Sequence, residues 1–113
     1  MATYIAHENY GGRSKNVRVH VDRRLKEHKS AQCGVSFQRG ITYLYSYSTL
    51  AAVIDNDSFL SIHCVFSRTT LSHIQWFISE YCPRIGNLSF GEIRNMYEKR
   101  ERLNIYSGEI KRW

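Results

Sequence analysis

Polar and apolar residues alternate along much of the first 66 residues, and this period of two predicts β-strands. In residues 16–22 the valines alternate with Arg, His and Asp, which is typical of a half-buried strand. Residues 33–66 contain further short apolar segments, separated by turn signals at Arg39-Gly40 and at Asp55-Asn56-Asp57-Ser58. Because consecutive strands with short connections pair in opposite directions, the pattern predicts an antiparallel sheet of four or five strands.

After residue 66 the spacing of apolar residues changes to that of a helix. Apolar positions at i, i+3, i+7 and i+10 predict a helix over residues 70–81, which Pro83 ends. Ser89 and Glu92 have the spacing of a capping box and predict a second helix over residues 90–103. The sequence therefore predicts an α+β fold in which these two helices pack on the antiparallel sheet.

Length and composition indicate a single small domain spanning residues 1–113. Hydrophobic residues make up 42% of the chain and aromatic residues 13%, which excludes a disordered chain. No apolar run approaches the ~20 residues of a membrane span, and residues 1–12 lack the features of a secretory signal. We therefore expect a cytoplasmic protein with no membrane partner. The three cysteines are odd in number and widely spaced, which favours reduced, buried thiols over disulfides.

The positive charge of the chain is concentrated in one segment. The net charge is +6, and residues 13–29 contain seven basic and two acidic residues, which amounts to +5. Such a cluster is typical of proteins that contact nucleic-acid phosphates, and it equally suits docking to an acidic protein. The residues predicted to make these contacts are Arg13, Lys15, Arg18, Arg23, Arg24, Lys26, Lys29 and, outside the segment, Arg68.

Three tyrosines alternate along the strand predicted at residues 41–47. On a regular strand Tyr43, Tyr45 and Tyr47 share one side, where they are candidates for stacking on unpaired bases. Tyrosines in this pattern are also common as half-buried strand residues whose hydroxyl groups reach water. At the level of the sequence both interpretations stay open.

A hydroxyl-rich segment precedes the first predicted helix. Ser67, Arg68, Thr69 and Thr70, with His73 one turn later, have the composition of an anion site at a helix N-terminus. The alternative is structural, with a hydroxyl group capping the helix and His73 packing against the tyrosine strand. A Ser–His nucleophile would need an orienting group and an oxyanion site, and neither is indicated. The spacing of the His and Cys residues matches no metal-binding pattern, so we predict no catalytic residues, no metal and no cofactor.

Residues 41–78, about a third of the chain, carry a pattern that resembles a known group of proteins. The segments are Leu44-Tyr45-Ser46-Tyr47-Ser48-Thr49, Ala52-Val53-Ile54-Asp55, Phe66-Ser67-Arg68-Thr69-Thr70 and His73-Ile74. They resemble a small uncharacterised domain family found mainly in bacteriophage genomes and prophages, with the pattern YSY-T-x-x-A followed by YSRTT-x-x-H. Phe66 stands where that family often has Tyr. The resemblance implies a phage-type protein in the host cytoplasm with an accessory or host-modulating role, and it implies no catalytic residues.

These observations lead to one functional hypothesis and its alternatives. We expect a non-enzymatic, phage-type accessory protein that binds nucleic acid or a nucleoprotein through the basic segment of residues 13–29. The alternative is an inhibitor of a host defence or nucleic-acid-processing complex that docks through the same basic face. An enzymatic hypothesis places Arg68 and His73 at a phosphate-containing small molecule.

Overall fold

Eight strands and two helices make up the described part of the chain, which in this computed structural model comprises residues 2–10, 13–21, 33–47 and 49–113. For residues 2–10 and 13–21 the structure describes the backbone only. The strands are β1 (Ala2–Tyr10), β2 (Arg13–Val21), β3 (Cys33–Gln38), β4 (Ile41–Ser46), β5 (Thr49–Ile54), β6 (Phe59–Ile62), β7 (Glu101–Asn104) and β8 (Ile110–Arg112). The helices are α1 (Arg68–Tyr81) and α2 (Phe90–Lys99).

The strands pair into one sheet that has more than the predicted four or five strands. Six of them follow the order β2-β1-β5-β6-β7-β8, and β3 and β4 extend the sheet from β5. The described strand pairs are antiparallel except that β1 meets β5 in parallel, with His7 opposite Thr49. The predicted α+β fold with an antiparallel sheet and two helices is confirmed. The strand number is wrong because the alternation marks neither β1 nor the β7–β8 pair. These segments are strands through their pairing, β1 with β2 and β5, and β7 with β6 and β8.

The two predicted turns both connect adjacent strands of the sheet. Arg39 and Gly40 have φ angles of 54° and 78°, so the β3–β4 turn uses two left-handed residues, as the twist of a two-residue hairpin requires. Between β5 and β6, Oδ1 of Asp55 accepts hydrogen bonds from the N–H groups of Asp57 and Phe59, both at 3.0 Å. These bonds explain why Asp is favoured at the start of such a turn.

The core lies between one face of the sheet and the two helices. One row of paired residues crosses four strands and is fully buried: Val35, Leu44, Ala52 and Ile62. The helices cover this row with apolar side chains: Leu71, Ile74, Phe77 and Ile78 from α1, and Ile93 from α2. Burial of this apolar surface stabilises the fold by about 25 cal/mol for each Å² removed from water.

Both helices begin at the capping signals in the sequence. Helix α1 begins at Arg68, two residues before the predicted start at residue 70, and Ser67 is its N-cap. The side chain of Ser67 accepts a hydrogen bond from the N–H of Thr70 at 3.1 Å. Ser89 caps α2 and forms the predicted capping box with Glu92. Within the described residues, neither helix has the length and hydrophobicity that a bilayer-spanning segment needs.

The second helix is shorter than predicted, because the chain leaves the helical conformation at Arg100. This residue is the C-cap, with φ 52° and ψ 48°, and its N–H donates to carbonyls in the last turn of α2. The prediction that the helix continues to Leu103 is therefore wrong. Leu103 lies in β7, opposite Leu60 of β6 on one side and Ile110 of β8 on the other. Pairing with both neighbours outweighs the helical spacing of Leu103, because β7 forms backbone hydrogen bonds along both edges.

Candidate functional site

The predicted basic segment lies partly within the first hairpin. Arg13, Lys15 and Arg18 belong to β2, where their backbone is paired with β1. The remaining members lie outside the described residues: Arg23, Arg24, Lys26 and Lys29. Nucleic-acid or partner contact by this segment therefore stays a prediction.

A chain of hydroxyl groups connects the start of α1 to β4. Ser67 Oγ donates to Thr70 Oγ1 at 3.2 Å, and Thr70 Oγ1 lies 3.0 Å from Ser46 Oγ. Ser46 Oγ in turn lies 2.7 Å from Nδ1 of His73. A hydroxyl group both donates and accepts, so Ser46 Oγ joins the Thr70 hydroxyl and the His73 imidazole with either tautomer of His73.

The predicted anion site divides into a buried part and an exposed part. Thr70 is 4% exposed and His73 is 0% exposed, whereas Ser67, Arg68 and Thr69 lie at the surface. The His73 ring packs beside two other rings, those of Tyr47 and Trp76. The capping and packing roles of Ser67 and His73 are thus visible in the structure. Anion binding by the exposed residues stays a prediction.

Sequence reasoning missed Ser46, the partner of His73. Ser46 precedes His73 by 27 residues and lies on a different element, so no local spacing relates the two. Its burial at 1% exposure follows from its place at the end of β4, directly beneath α1. The tertiary packing of α1 on the sheet is what brings the hydroxyl to the imidazole.

The three tyrosines of the predicted stacking row have three different environments. The β4–β5 register shifts between Leu44 and Tyr45, and Tyr47 has a left-handed φ of 56° beyond the end of β4. Tyr43 is half-buried, Tyr45 is 3% exposed and Tyr47 is 47% exposed. The rings therefore do not form one exposed row, because the bulge and the turn break the alternation that the prediction assumes. Base stacking on Tyr43 or Tyr47 stays a prediction.

A second group of side chains gathers on the face of the sheet opposite the helices. Ser61 of β6 lies opposite Arg102 of β7, which lies opposite Lys111 of β8, so the three side chains share one face. One step further along, the N–H of Trp113 donates to the carbonyl of Arg100 at 2.9 Å. We call this group the cation–aromatic face and define it by six residues: Phe59, His63, Arg100, Arg102, Lys111 and Trp113.

Rings and cations contact each other across the cation–aromatic face. The ring centroids of Trp113 and His63 are 4.8 Å apart, and the guanidinium carbon of Arg100 lies 5.9 Å from the Trp113 centroid. The guanidinium of Arg102 and the ammonium of Lys111 each lie 5.2 Å from the centroid of the Phe59 ring. These distances allow the attraction between a positive charge and the face of an aromatic ring.

Acidic residues neutralise only part of the charge on this face. Arg102 is paired with Asp55 at 3.5 Å, and Lys111 with Glu109 at 3.9 Å, a long contact between side chains that are both more than half exposed. An exposed ion pair such as Lys111–Glu109 contributes little to stability in water. Arg100 makes no ion pair with any residue in the described part of the chain.

His63 contributes an uncharged ring to the cation–aromatic face. Its Nε2 lies 3.0 Å from Ser61 Oγ, and burial lowers the pKa of His63 to about 4. The imidazole is therefore neutral at pH 7, so it packs on Trp113 without adding to the repulsion between the neighbouring cations.

Sequence reasoning also missed the cation–aromatic face as a unit. Its members come from residues 59–63 and 100–113, and the pairing of β6, β7 and β8 unites them. One local signal was available, a tryptophan directly after two basic residues in Lys111-Arg112-Trp113. That signal identifies a candidate contact residue but not its neighbours.

The cysteines have the properties of structural thiols. The thiols of Cys33, Cys64 and Cys82 are reduced and buried, as predicted. Burial raises the pKa of Cys64 and raises that of Cys82 to about 12, so both thiols are protonated at neutral pH. Among the residues that the structure describes, no three His, Cys, Asp or Glu side chains come together as a metal-binding group.

Comparison with known proteins identifies one related family. The sequence model of a family of unknown function (DUF8033) matches residues 8–90. This range includes β2, the hydroxyl chain and α1, and it ends at the start of α2. No curated protein and no solved structure matches the chain.

Proposed function

Since the chain belongs to this family of unknown function, we propose a role from its own charge and contacts. The proposed role is that of a non-catalytic, phage-type accessory or host-modulating protein that binds nucleic acid or a nucleoprotein. Residues 13–29 are the proposed contact surface, and their charge of +5 is the observation that carries the proposal. Such a surface attracts phosphate groups at a range of about 10 Å at 0.1 M salt, independently of base sequence.

The register of the first hairpin supports this role for the cations of β2. Arg13 and Arg18 each lie opposite an uncharged residue of β1, whereas Lys15 lies opposite Glu8. A carboxylate directly across a strand pair would neutralise a cation. In the backbone register, two of the three cations on β2 are therefore paired with an uncharged residue.

The phage-type context of the proposal rests on the resemblance of residues 41–78 to phage and prophage domains. In that context the protein acts in the host cytoplasm. Nucleic acid is a strongly acidic partner there, alone or in a nucleoprotein, so a basic surface is suited to it.

The burial of the Ser46–His73 pair supports a non-catalytic role. A nucleophile and its base must reach the reacting atom of a substrate within hydrogen-bond distance. Ser46 is 1% exposed and His73 is 0% exposed, and both are covered by α1 and β4. The pair serves to join these two elements.

Binding of labelled oligonucleotides tests the proposed function. Single-stranded and duplex forms of about 30 nucleotides are titrated with the full chain from about 50 to about 300 mM salt. If roughly five phosphates are contacted, affinity for the duplex falls roughly 500-fold and affinity for the single strand roughly 130-fold between about 50 and about 200 mM salt. Absence of binding to both forms at the lowest salt concentration would overturn the proposal.

A pair of charge-matched variants distinguishes the basic segment from net charge alone. The test variant is Arg23→Glu/Arg24→Glu, and the control is Arg84→Glu/Arg94→Glu, which removes the same charge from exposed positions elsewhere. We expect the test variant to lose affinity and salt dependence and the control to lose much less. Equal losses in both variants would mean that the attraction is non-specific.

The alternative partner is an acidic protein of a host defence or nucleic-acid-processing complex. Phe66 favours it, since this aromatic residue is 80% exposed between β6 and α1, and exposed aromatic side chains often anchor protein interfaces. Affinity capture from a host lysate compares Phe66→Ala with Tyr106→Ala, an aromatic control that is 62% exposed. A host protein that is captured by wild type and by Tyr106→Ala but not by Phe66→Ala would favour this alternative.

A further inference from the structure

Trp113 is an exposed ring that is nevertheless held in place. The residue is 42% exposed, although tryptophan is among the most buried residue types on average. The backbone bond to Arg100 and the contact with the His63 ring fix its position on the sheet. A ring that is positioned and open to solvent loses little conformational entropy when a flat partner stacks on it.

The cations beside Trp113 are arranged to receive an anion. Arg102 and Lys111 both lie 5.2 Å from the Phe59 ring centroid. Arg102 is paired with Asp55, whereas Lys111 has only the long, exposed contact with Glu109. Arg100 holds a third charge 5.9 Å from the Trp113 centroid. A phosphate near these groups would relieve their mutual repulsion and would gain charge-assisted hydrogen bonds.

We propose that the cation–aromatic face binds unpaired bases of single-stranded nucleic acid, with Trp113 stacking on a base and Arg100 and Lys111 contacting the adjacent phosphates. A combination of aromatic platforms and cations is the mode by which proteins bind single strands without sequence preference. A duplex does not satisfy this face, because its base surfaces are already stacked inside the helix. The inference rests on the proposed function and adds a second surface with a different preference.

The two surfaces make different predictions for the two nucleic-acid forms. Residues 13–29 act through charge and attract single strands and duplexes alike. Trp113 acts through the exposed face of a base, which only the single strand offers. A substitution at Trp113 is therefore expected to change the ratio of the two affinities, whereas charge reversal at Arg23 and Arg24 lowers both.

Trp113→Ala and Tyr106→Ala form a matched pair for the test. Tyr106 is also an exposed ring with a guanidinium 5.9 Å from its centroid, that of Arg84, but it lies outside the cation–aromatic face. Trp113→Ala is expected to weaken binding of a single-stranded oligonucleotide by about 5- to 150-fold, the range for one stacked base. Duplex affinity should change less than about 2-fold, and Tyr106→Ala should leave both affinities unchanged.

Intrinsic fluorescence provides a second measurement that leaves Trp113 in place. The chain has two tryptophans, so Trp76→Phe makes Trp113 the sole indole. Stacking on a base quenches indole emission, so oligothymidine should quench this variant at the concentrations at which it binds. The duplex should bind with much less quenching.

The outcomes of these experiments distinguish failure of the inference from failure of the proposed function. If Trp113→Ala lowers both affinities equally or lowers neither, and oligothymidine does not quench Trp113, the inference is wrong. The proposed function still stands in that case if Arg23→Glu/Arg24→Glu weakens binding. If wild type binds neither form at low salt, both the inference and the proposed function fail.

Discussion

Replacing Ser46 with alanine removes the hydroxyl group that joins α1 to β4. Ser46 Oγ lies 2.7 Å from His73 Nδ1 and 3.0 Å from Thr70 Oγ1. All three residues are at most 4% exposed, so water cannot readily replace the lost hydroxyl. The substitution therefore deletes one buried group that serves two partners.

The magnitude follows from what each partner loses. A buried polar group that loses its partner costs about 1–3 kcal/mol. His73 Nδ1 loses its hydroxyl partner, whereas Thr70 Oγ1 keeps its bond from Ser67 at 3.2 Å. We therefore expect the free energy of unfolding to fall by about 1–3 kcal/mol, a large share of the roughly 5–15 kcal/mol typical of a domain.

Ser36→Ala is the matched control for this prediction. Ser36 is also a fully buried serine on a strand. Its Oγ accepts one hydrogen bond, at 3.3 Å, from Nε2 of Gln38, and Gln38 is exposed. Its replacement should cost about 1 kcal/mol or less, since Gln38 can turn to water. Urea unfolding monitored by circular dichroism measures both variants. If the free energies of unfolding of the two variants differ by less than about 0.5 kcal/mol, the Ser46 hydroxyl does not stabilise the contact between α1 and β4.

Three further predictions address pH, capping and the anion hypothesis. Burial lowers the pKa of His63 from 6.5 to about 4, so the unfolded chain binds a proton between these values that the folded chain does not. The neutral ring therefore stabilises the fold fully above pH 6.5 and progressively less as the pH falls to about 4. Wild type should lose up to about 3 kcal/mol more than His63→Gln over this range in urea unfolding, and equal pH slopes would refute the assignment. Ser89→Ala removes the N-cap of α2 and should lower the free energy of unfolding by about 1 kcal/mol; no change would show that the capping box is replaced by water. Because His73 is 0% exposed, His73→Gln should leave any phosphate-induced rise in Tm unaltered, and a loss of that rise would place His73 at the anion.

Local signals in the sequence were sufficient for the capping of the two helices and for two turns of the sheet. The hydroxyl of Ser67 and the Ser89–Glu92 pair act within one helical turn, so their effect does not depend on the rest of the fold. The Asp55 turn is equally local, because its bonds connect residues within four positions. The α+β class followed from these signals and from the change of apolar period.

The contact sites required the tertiary structure. Ser46 meets His73 across 27 residues, and Trp113 meets His63 through the pairing of β6, β7 and β8. Neither contact has a characteristic spacing along the chain. Of the candidate site, the sequence therefore identified the residue types and the concentration of charge, but not which side chains lie together.

The end of α2 shows most directly where local and tertiary effects diverge. The amino-acid sequence by itself determined the α+β class, the start of α2, the start of α1 to within two residues, the two turns and the position of the basic segment. Each of these depends on neighbours in the chain or on composition. Only the tertiary structure decided that the helix stops at Arg100 and that Glu101–Asn104 become a strand. The reason is that a strand is stabilised by hydrogen bonds to other segments, and the free edge of β6 and the partner β8 supply those bonds to β7.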